Sequence, residues 1–154
     1  MVNIAIIGCG SIVNWRHAPE CRDDENINLM GFYNINIDKA EKNAETFGGK
    51  VYKEFEDVLA DDEVDAVIIS TPNKFHCDMT VRALESGKHV LCEKPMALSV
   101  EECKKMVEAS ERTGKFLMIA QSQRTDAVSR KAKELLDEGD FRVCQGKSGQ
   151  QKGK

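Results

Sequence analysis

No stretch of this sequence reaches the roughly 18 apolar residues needed to span a bilayer, so no membrane partner is expected. Positive charge is not in excess: 22 Lys and Arg face 26 Asp and Glu, a formal net charge of −4. Phosphate backbones are held by a basic field, so no nucleic-acid partner is expected. The six cysteines include no C-x-x-C pair. That removes zinc ribbons and thioredoxin-type redox motifs, and no metal site is expected. Cys9, Cys77 and Cys92 lie in or beside apolar segments, as reduced thiols acting as small hydrophobes do. Met1-Val2-Asn3-Ile4 runs straight into a strand-like segment without a basic leader. With the thiols, this gives a cytoplasmic expectation. There is no internal repeat. Gln145 to Lys154 contains only Gln, Gly, Ser and Lys, so residues 141–154 are expected to form an irregular, disordered polar tail.

What remains is 154 residues, 41% hydrophobic and 31% charged, which suits one soluble domain with a real core. Strand-like and helix-like segments alternate. Strands are predicted at Val2 to Ile7, Ile27 to Tyr33, Val51-Tyr52, Asp65 to Ser70, His89 to Cys92 and Phe116 to Ala120. Helices are predicted at Ser11 to Cys21, Asp38 to Phe47, Phe55 to Ala60, Cys77 to Ser86, Ser99 to Thr113 and Ser129 to Glu138. Asp38 is the N-cap candidate of the second, and Ser99-x-x-Glu102 reads as a capping box. Alternation of this kind implies parallel strands joined by crossovers. The expected fold is α/β, a Rossmann-type doubly wound and mainly parallel sheet of about six strands, with helices on both faces, over residues 1–140.

Gly8-Cys9-Gly10-Ser11-Ile12-Val13 joins the first strand to the first helix. In a dinucleotide fold the first glycine allows the tight turn and the second lets backbone approach the pyrophosphate. The helix start then offers free N–H groups to the phosphates. Val13 occupies the third glycine position, so the fingerprint is incomplete, and a plain strand–turn–helix also explains it. An acidic residue is expected after the second strand, about 20 residues past the glycines, to hold the adenosine ribose. Asn34 stands there instead. It accepts a hydrogen bond without repelling a 2′-phosphate, and Lys39 lies within reach of one. This shifts the balance toward NADP or dual use without deciding between NAD and NADP; the alternative is that Asn34 only caps the turn.

Two more segments lie just past strand ends, where open α/β sheets bind ligands. One is Thr71-Pro72-Asn73-Lys74-Phe75-His76; the other is Glu93-Lys94-Pro95. A lysine there can bond the nicotinamide ribose and a substrate oxygen and stabilise a developing alkoxide, with Glu93 holding it. The alternatives are a solvated Lys94 and a His76 bonded to backbone at a helix start.

Together, Ile7-Gly8-Cys9-Gly10-Ser11-Ile12, Val64-Asp65-Ala66-Val67, Ser70-Thr71-Pro72-Asn73 with His76, and Gly87-Lys88-His89-Val90-Leu91-Cys92-Glu93-Lys94-Pro95 resemble the glucose–fructose oxidoreductase / inositol dehydrogenase / MocA family. The resemblance runs from Met1 to about Asp140. It implies an N-terminal Rossmann domain followed by an α+β substrate domain. It also implies hydride transfer between NAD(P) and the CH–OH carbon of a sugar, inositol or related polyol. It makes Lys94 the catalytic lysine and the bond before Pro95 often cis. The cofactor residues it implies are Gly8, Gly10, Ser11, Ile12, Asn34, Ser70, Thr71, Pro72, Asn73, His76, Glu93 and Lys94, with Gln121 and Arg124 near the nicotinamide. Phe141-Arg142-Val143-Cys144 fades into the tail where members continue into the substrate domain, which holds the catalytic histidine. This chain is therefore expected to bind cofactor without turnover and to self-associate. The other reading is a non-catalytic nucleotide sensor or interaction module derived from such an enzyme.

Overall fold

A computed structural model describes residues 1–139, so the expectation for the tail falls outside the described residues. The chain divides into two compact units, the first of which is Met1–Ala120. In that unit six strands form one sheet: β1 (Val2–Ile7), β2 (Ile27–Tyr33), β3 (Lys50–Tyr52), β4 (Ala66–Ile69), β5 (His89–Cys92) and β6 (Leu117–Ile119). Their order is β3-β2-β1-β4-β5-β6, and every pairing is parallel. The helices between them are α1 (Ala18–Asp23), α2 (Ile37–Phe47), α3 (Phe55–Ala60), α4 (His76–Glu85) and α5 (Val100–Thr113).

Side-chain alternation along the strands builds two cores. Ala5, Ile7, Val67, Ile69, Val90 and Cys92 face one way and pack with Phe55, Val58, Ala83, Leu84, Met106 and Ala109 of α3, α4 and α5. Ile6, Phe32 and Ile68 face the other way and pack with Val13, Ala18, Cys21 and Ala40. Burial on both faces explains why the central strands read as continuous apolar runs.

Helix starts differ in detail from the sequence reading. The first helix passes through a π-helical turn, Val13–His17, in which the Ala18 N–H bonds the Val13 carbonyl. Pro19 has no N–H and its ring crowds the carbonyl four residues back, and a widened turn accommodates it. Asn36, not Asp38, caps α2: its side chain accepts the Asp38 N–H at 3.1 Å. Asn36 is still extended, so the chain turns helical one residue earlier than expected. Ser99 caps α5 through the Glu102 N–H at 3.1 Å, but the Glu102 carboxylate takes the Leu98 N–H rather than closing the box on Ser99. Glu54 and Asp57 form an unforeseen capping box at α3.

The second unit begins at Gln121 and holds a short 3-10 turn, Ser122–Arg124, and the helix α6 (Ala127–Asp137). Asp126 caps α6 by accepting the Ser129 N–H at 2.9 Å, so the helix starts ahead of Ser129. Among the described residues no helix is long and apolar enough to cross a membrane.

Lys88, which enters the sequence reading only as part of the family motif, is only 3% exposed. Its Nζ donates to the carbonyls of Asp61 at 2.8 Å and Val64 at 3.1 Å, pinning the chain that enters β4. Burial holds its pKa below the ordinary 10.5. Between the lowered and the ordinary value the unfolded chain binds more protons, so this group's contribution to stability grows as pH rises. Lys88→Met leaves the buried Val64 carbonyl unpaired and strips the Asp61 carbonyl of one of its two donors, the other being the Val64 N–H, and is expected to cost about 2 kcal/mol at neutral pH. In urea unfolding, the gap between wild type and Lys88→Met should widen toward pH 10; a gap that narrows contradicts this account.

Candidate cofactor site

Because every strand runs the same way, the carboxyl ends of all six share one edge. Gly8-Cys9-Gly10 follows β1, Asn34 follows β2, Ser70 to Asn73 follow β4, and Glu93-Lys94-Pro95 follows β5. The three segments singled out in the sequence therefore converge on a single side of the molecule.

A groove of about 490 Å³ opens there, lined by Gly8, Cys9, Gly10, Asn34, Lys39, Ser70, Thr71 and Pro72. Gly8 has a φ of +100°, and a Cβ on it would lie 2.5 Å from the Ser70 carbonyl oxygen. Its N–H donates to the Tyr33 carbonyl at 2.7 Å, tying β1 to the end of β2. Gly10 is the reverse case: a Cβ there would meet nothing within 4 Å. Val13, at the third glycine position, is fully buried in the core. Ser11 is exposed and Ile12 half-buried where the helical turns begin.

Asn34 fastens the groove as well as lining it. Its Oδ1 accepts the Cys9 N–H at 3.2 Å, and its Nδ2 donates to the Asn36 carbonyl at 2.8 Å. Turn-capping and groove-lining are thus both present in one side chain. Burial pushes the Cys9 thiol up to about 11, against the pull of Lys39. The turn therefore carries no negative charge at neutral pH. The Thr71 hydroxyl is buried and has no hydrogen-bond partner among the described residues. A buried hydroxyl without a partner is costly unless a water or ligand satisfies it.

The remaining residues are not among those that line the groove. His76 is 1% exposed. Its Nε2 lies 2.9 Å from the Thr71 carbonyl and its Nδ1 2.8 Å from the Pro95 carbonyl, so it joins the second and third segments. The bond before Pro95 is cis. Glu93 takes the Lys94 backbone N–H at 3.0 Å on Oε2, which places its hold on the main chain of Lys94. Lys94 and Asn73 are exposed. Gln121 and Arg124 belong to the second unit, where the Arg124 N–H bonds the Gln121 carbonyl at 2.9 Å. Sequence reasoning missed Ile35, Asn36, Phe75 and Met79, which also line the groove. It also missed His17, whose Nε2 is 2.8 Å from Glu93 Oε1.

A parallel sheet of this order, with a glycine turn after its first strand and an open groove over that turn, defines a dinucleotide-binding domain. Residues 2–121 match the family model described as the Gfo/Idh/MocA oxidoreductase family, NAD-binding Rossmann fold, and the chain belongs to that family. It is 37% identical over 121 residues to the uncharacterized oxidoreductase ORF334 of Rhizobium meliloti, covering 78% of this chain and 36% of the relative. It is 40% identical over 112 residues to glucose-6-phosphate 3-dehydrogenase of Bacillus subtilis, covering 73% and 31%. Among solved structures, the 3-ketoreductase KijD10 from Actinomadura kijaniata in complex with NADP superposes with a TM-score of 0.84. The identity is 28%, covering 90% of this chain and 44% of that one. The chain thus spans about a third of the length of the curated relatives it matches.

Proposed function

We propose that this chain binds NAD or NADP along the strand-end edge. The adenosine end occupies the groove between the glycine turn and Asn34 to Lys39, and the pyrophosphate lies over Gly10. The observation that carries the reading is the open space at Gly10 in a groove that Thr71, with its unpartnered hydroxyl, also lines. The first admits a phosphate against backbone, and the second offers an orphaned polar group to a ligand. The helix start at Ser11 adds free N–H groups, and Lys39 adds positive charge at the adenosine end. Lys94 is proposed to meet the nicotinamide ribose and, in the whole protein, a substrate oxygen.

The bound cofactor supplies the hydride chemistry. In that reaction the ammonium of Lys94 stabilises negative charge developing on a substrate oxygen. The substrate class proposed for the whole protein is a sugar, inositol or related polyol, in keeping with the relatives. Gln121 and Arg124 are assigned to the nicotinamide by family resemblance alone.

Calorimetric titration of NAD(H) and NADP(H) into the purified chain tests this. Saturable one-to-one binding is expected, toward the weak end of the roughly micromolar-to-millimolar range usual for enzyme ligands. Absence of saturable binding by both dinucleotides would refute the proposal.

A further inference from the structure

His17 does not line the cofactor groove, yet it is almost wholly buried and makes the longest-range polar bond to the Lys94 corner. Its Nε2 lies 2.8 Å from Glu93 Oε1, and the two side chains are only 8% and 12% exposed. A carboxylate can only accept, so the ring donates. The other oxygen of Glu93 takes the Lys94 N–H at 3.0 Å. Glu93's own N–H is held by the Ile69 carbonyl at 2.9 Å. A continuous path therefore runs from the π-helical turn behind the glycine loop, through Glu93, to the backbone of Lys94. Elsewhere the first helix meets the sheet through apolar side chains such as Val13, Ala18 and Cys21. A buried carboxylate is costly unless paired, so this contact is an expensive way to attach a helix. It is well suited to fixing the distance between two ends of a bound molecule.

We propose that His17 is a positioning residue: with Glu93 as bridge, it holds Lys94 at a set distance from the phosphate turn and so secures the nicotinamide half of the dinucleotide. The proposal rests on the cofactor reading above and adds to it a residue outside the groove. Without the imidazole, Glu93 is left buried and underpaired, swings toward water and releases the Lys94 N–H. The adenosine end, held by other residues, is unaffected.

The test compares the full chain with His17→Leu and His17→Gln. Leucine keeps volume without a donor; glutamine carries an amide N–H that can serve in place of the ring's. The first measurement needs no cofactor. Amide exchange followed by NMR should show Lys94 exchanging about tenfold faster in His17→Leu, with Val90 and Leu91 in β5 unchanged, and His17→Gln restoring protection. The second compares NADPH with adenosine 2′,5′-bisphosphate. His17→Leu should weaken NADPH about tenfold and the fragment less than about twofold. Unchanged Lys94 exchange, or equal loss for both ligands, overturns the proposal. If neither ligand binds the wild-type chain, NADH and adenosine diphosphate replace them in the same comparison; if NADH does not bind either, the cofactor reading falls instead, and the exchange result shows separately whether the fastening exists. Should His17→Leu fail to fold, Glu93→Gln serves as the second variant and should penalise NADPH more than the fragment.

Discussion

Gly8→Ala is expected to destabilise the chain by about 3 kcal/mol and to abolish dinucleotide binding. The cost has two sources. A φ of +100° is a conformation that an L side chain resists, and the new methyl would sit 2.5 Å from the Ser70 oxygen and 2.8 Å from the Ser70 carbonyl carbon. Both obstacles are backbone of the neighbouring strand end, so no side chain can rotate out of the way. Relief requires β1 and β4 to part where Ser70 N–H bonds the Ile7 carbonyl at 2.8 Å. Gly10→Ala provides the contrast. Its methyl meets nothing within 4 Å, and stability should change by less than about 0.5 kcal/mol. Yet it fills space that the proposal gives to a phosphate, and binding should weaken about tenfold or more. Urea unfolding and calorimetric titration of both variants separate the two effects. Equal stability losses would show that the turn constrains the fold alone; retained binding in Gly10→Ala would move the pyrophosphate elsewhere.

The contrast also marks what the sequence carried. Gly8 and Gly10 follow a β-branched run in an alternating pattern, so the turn, the parallel sheet and the shared edge were all readable from local chemistry. The strand ends at Tyr33 and Cys92 were legible for the same reason: apolar runs stop abruptly at polar residues. Contacts between distant polar groups were not. His17 and Glu93 are 76 residues apart, and no spacing marks them as partners. Lys88 looks like a solvated lysine before β5 until the fold places the carbonyls of Asp61 and Val64 around it. Asp61 reads as part of a polar stop, yet it accepts from both Lys50 and the Tyr52 hydroxyl, and those bonds hold its carboxyl below the usual range. Helix caps fell between these extremes. Asn36 and Asp38 are both good cap residues, and only the backbone path out of β2 chooses between them.

Asn34→Asp is expected to turn the groove against NADP while sparing NAD. The carboxylate keeps the acceptor that takes the Cys9 N–H, now charge-assisted and stronger. It loses the donor to the Asn36 carbonyl and sets two oxygens against each other where 2.8 Å now separates donor and acceptor. The side chain should rotate away from Asn36 and toward the ribose. An NAD ribose gains an acceptor for its hydroxyls. A 2′-phosphate, by contrast, meets like charge at a partly solvated site, a penalty of ~2 kcal/mol, or about 30-fold in affinity. Lys39→Met should weaken NADP in the same direction by removing the groove's cation, without the gain for NAD. Titration of both cofactors into the two variants reads the ratio directly. Equal losses toward NAD and NADP in Asn34→Asp would mean that the amide serves only to fix the turn. Selectivity would then have to come from Lys39 and the backbone between Ile35 and Asn36, which no side-chain charge at position 34 could alter.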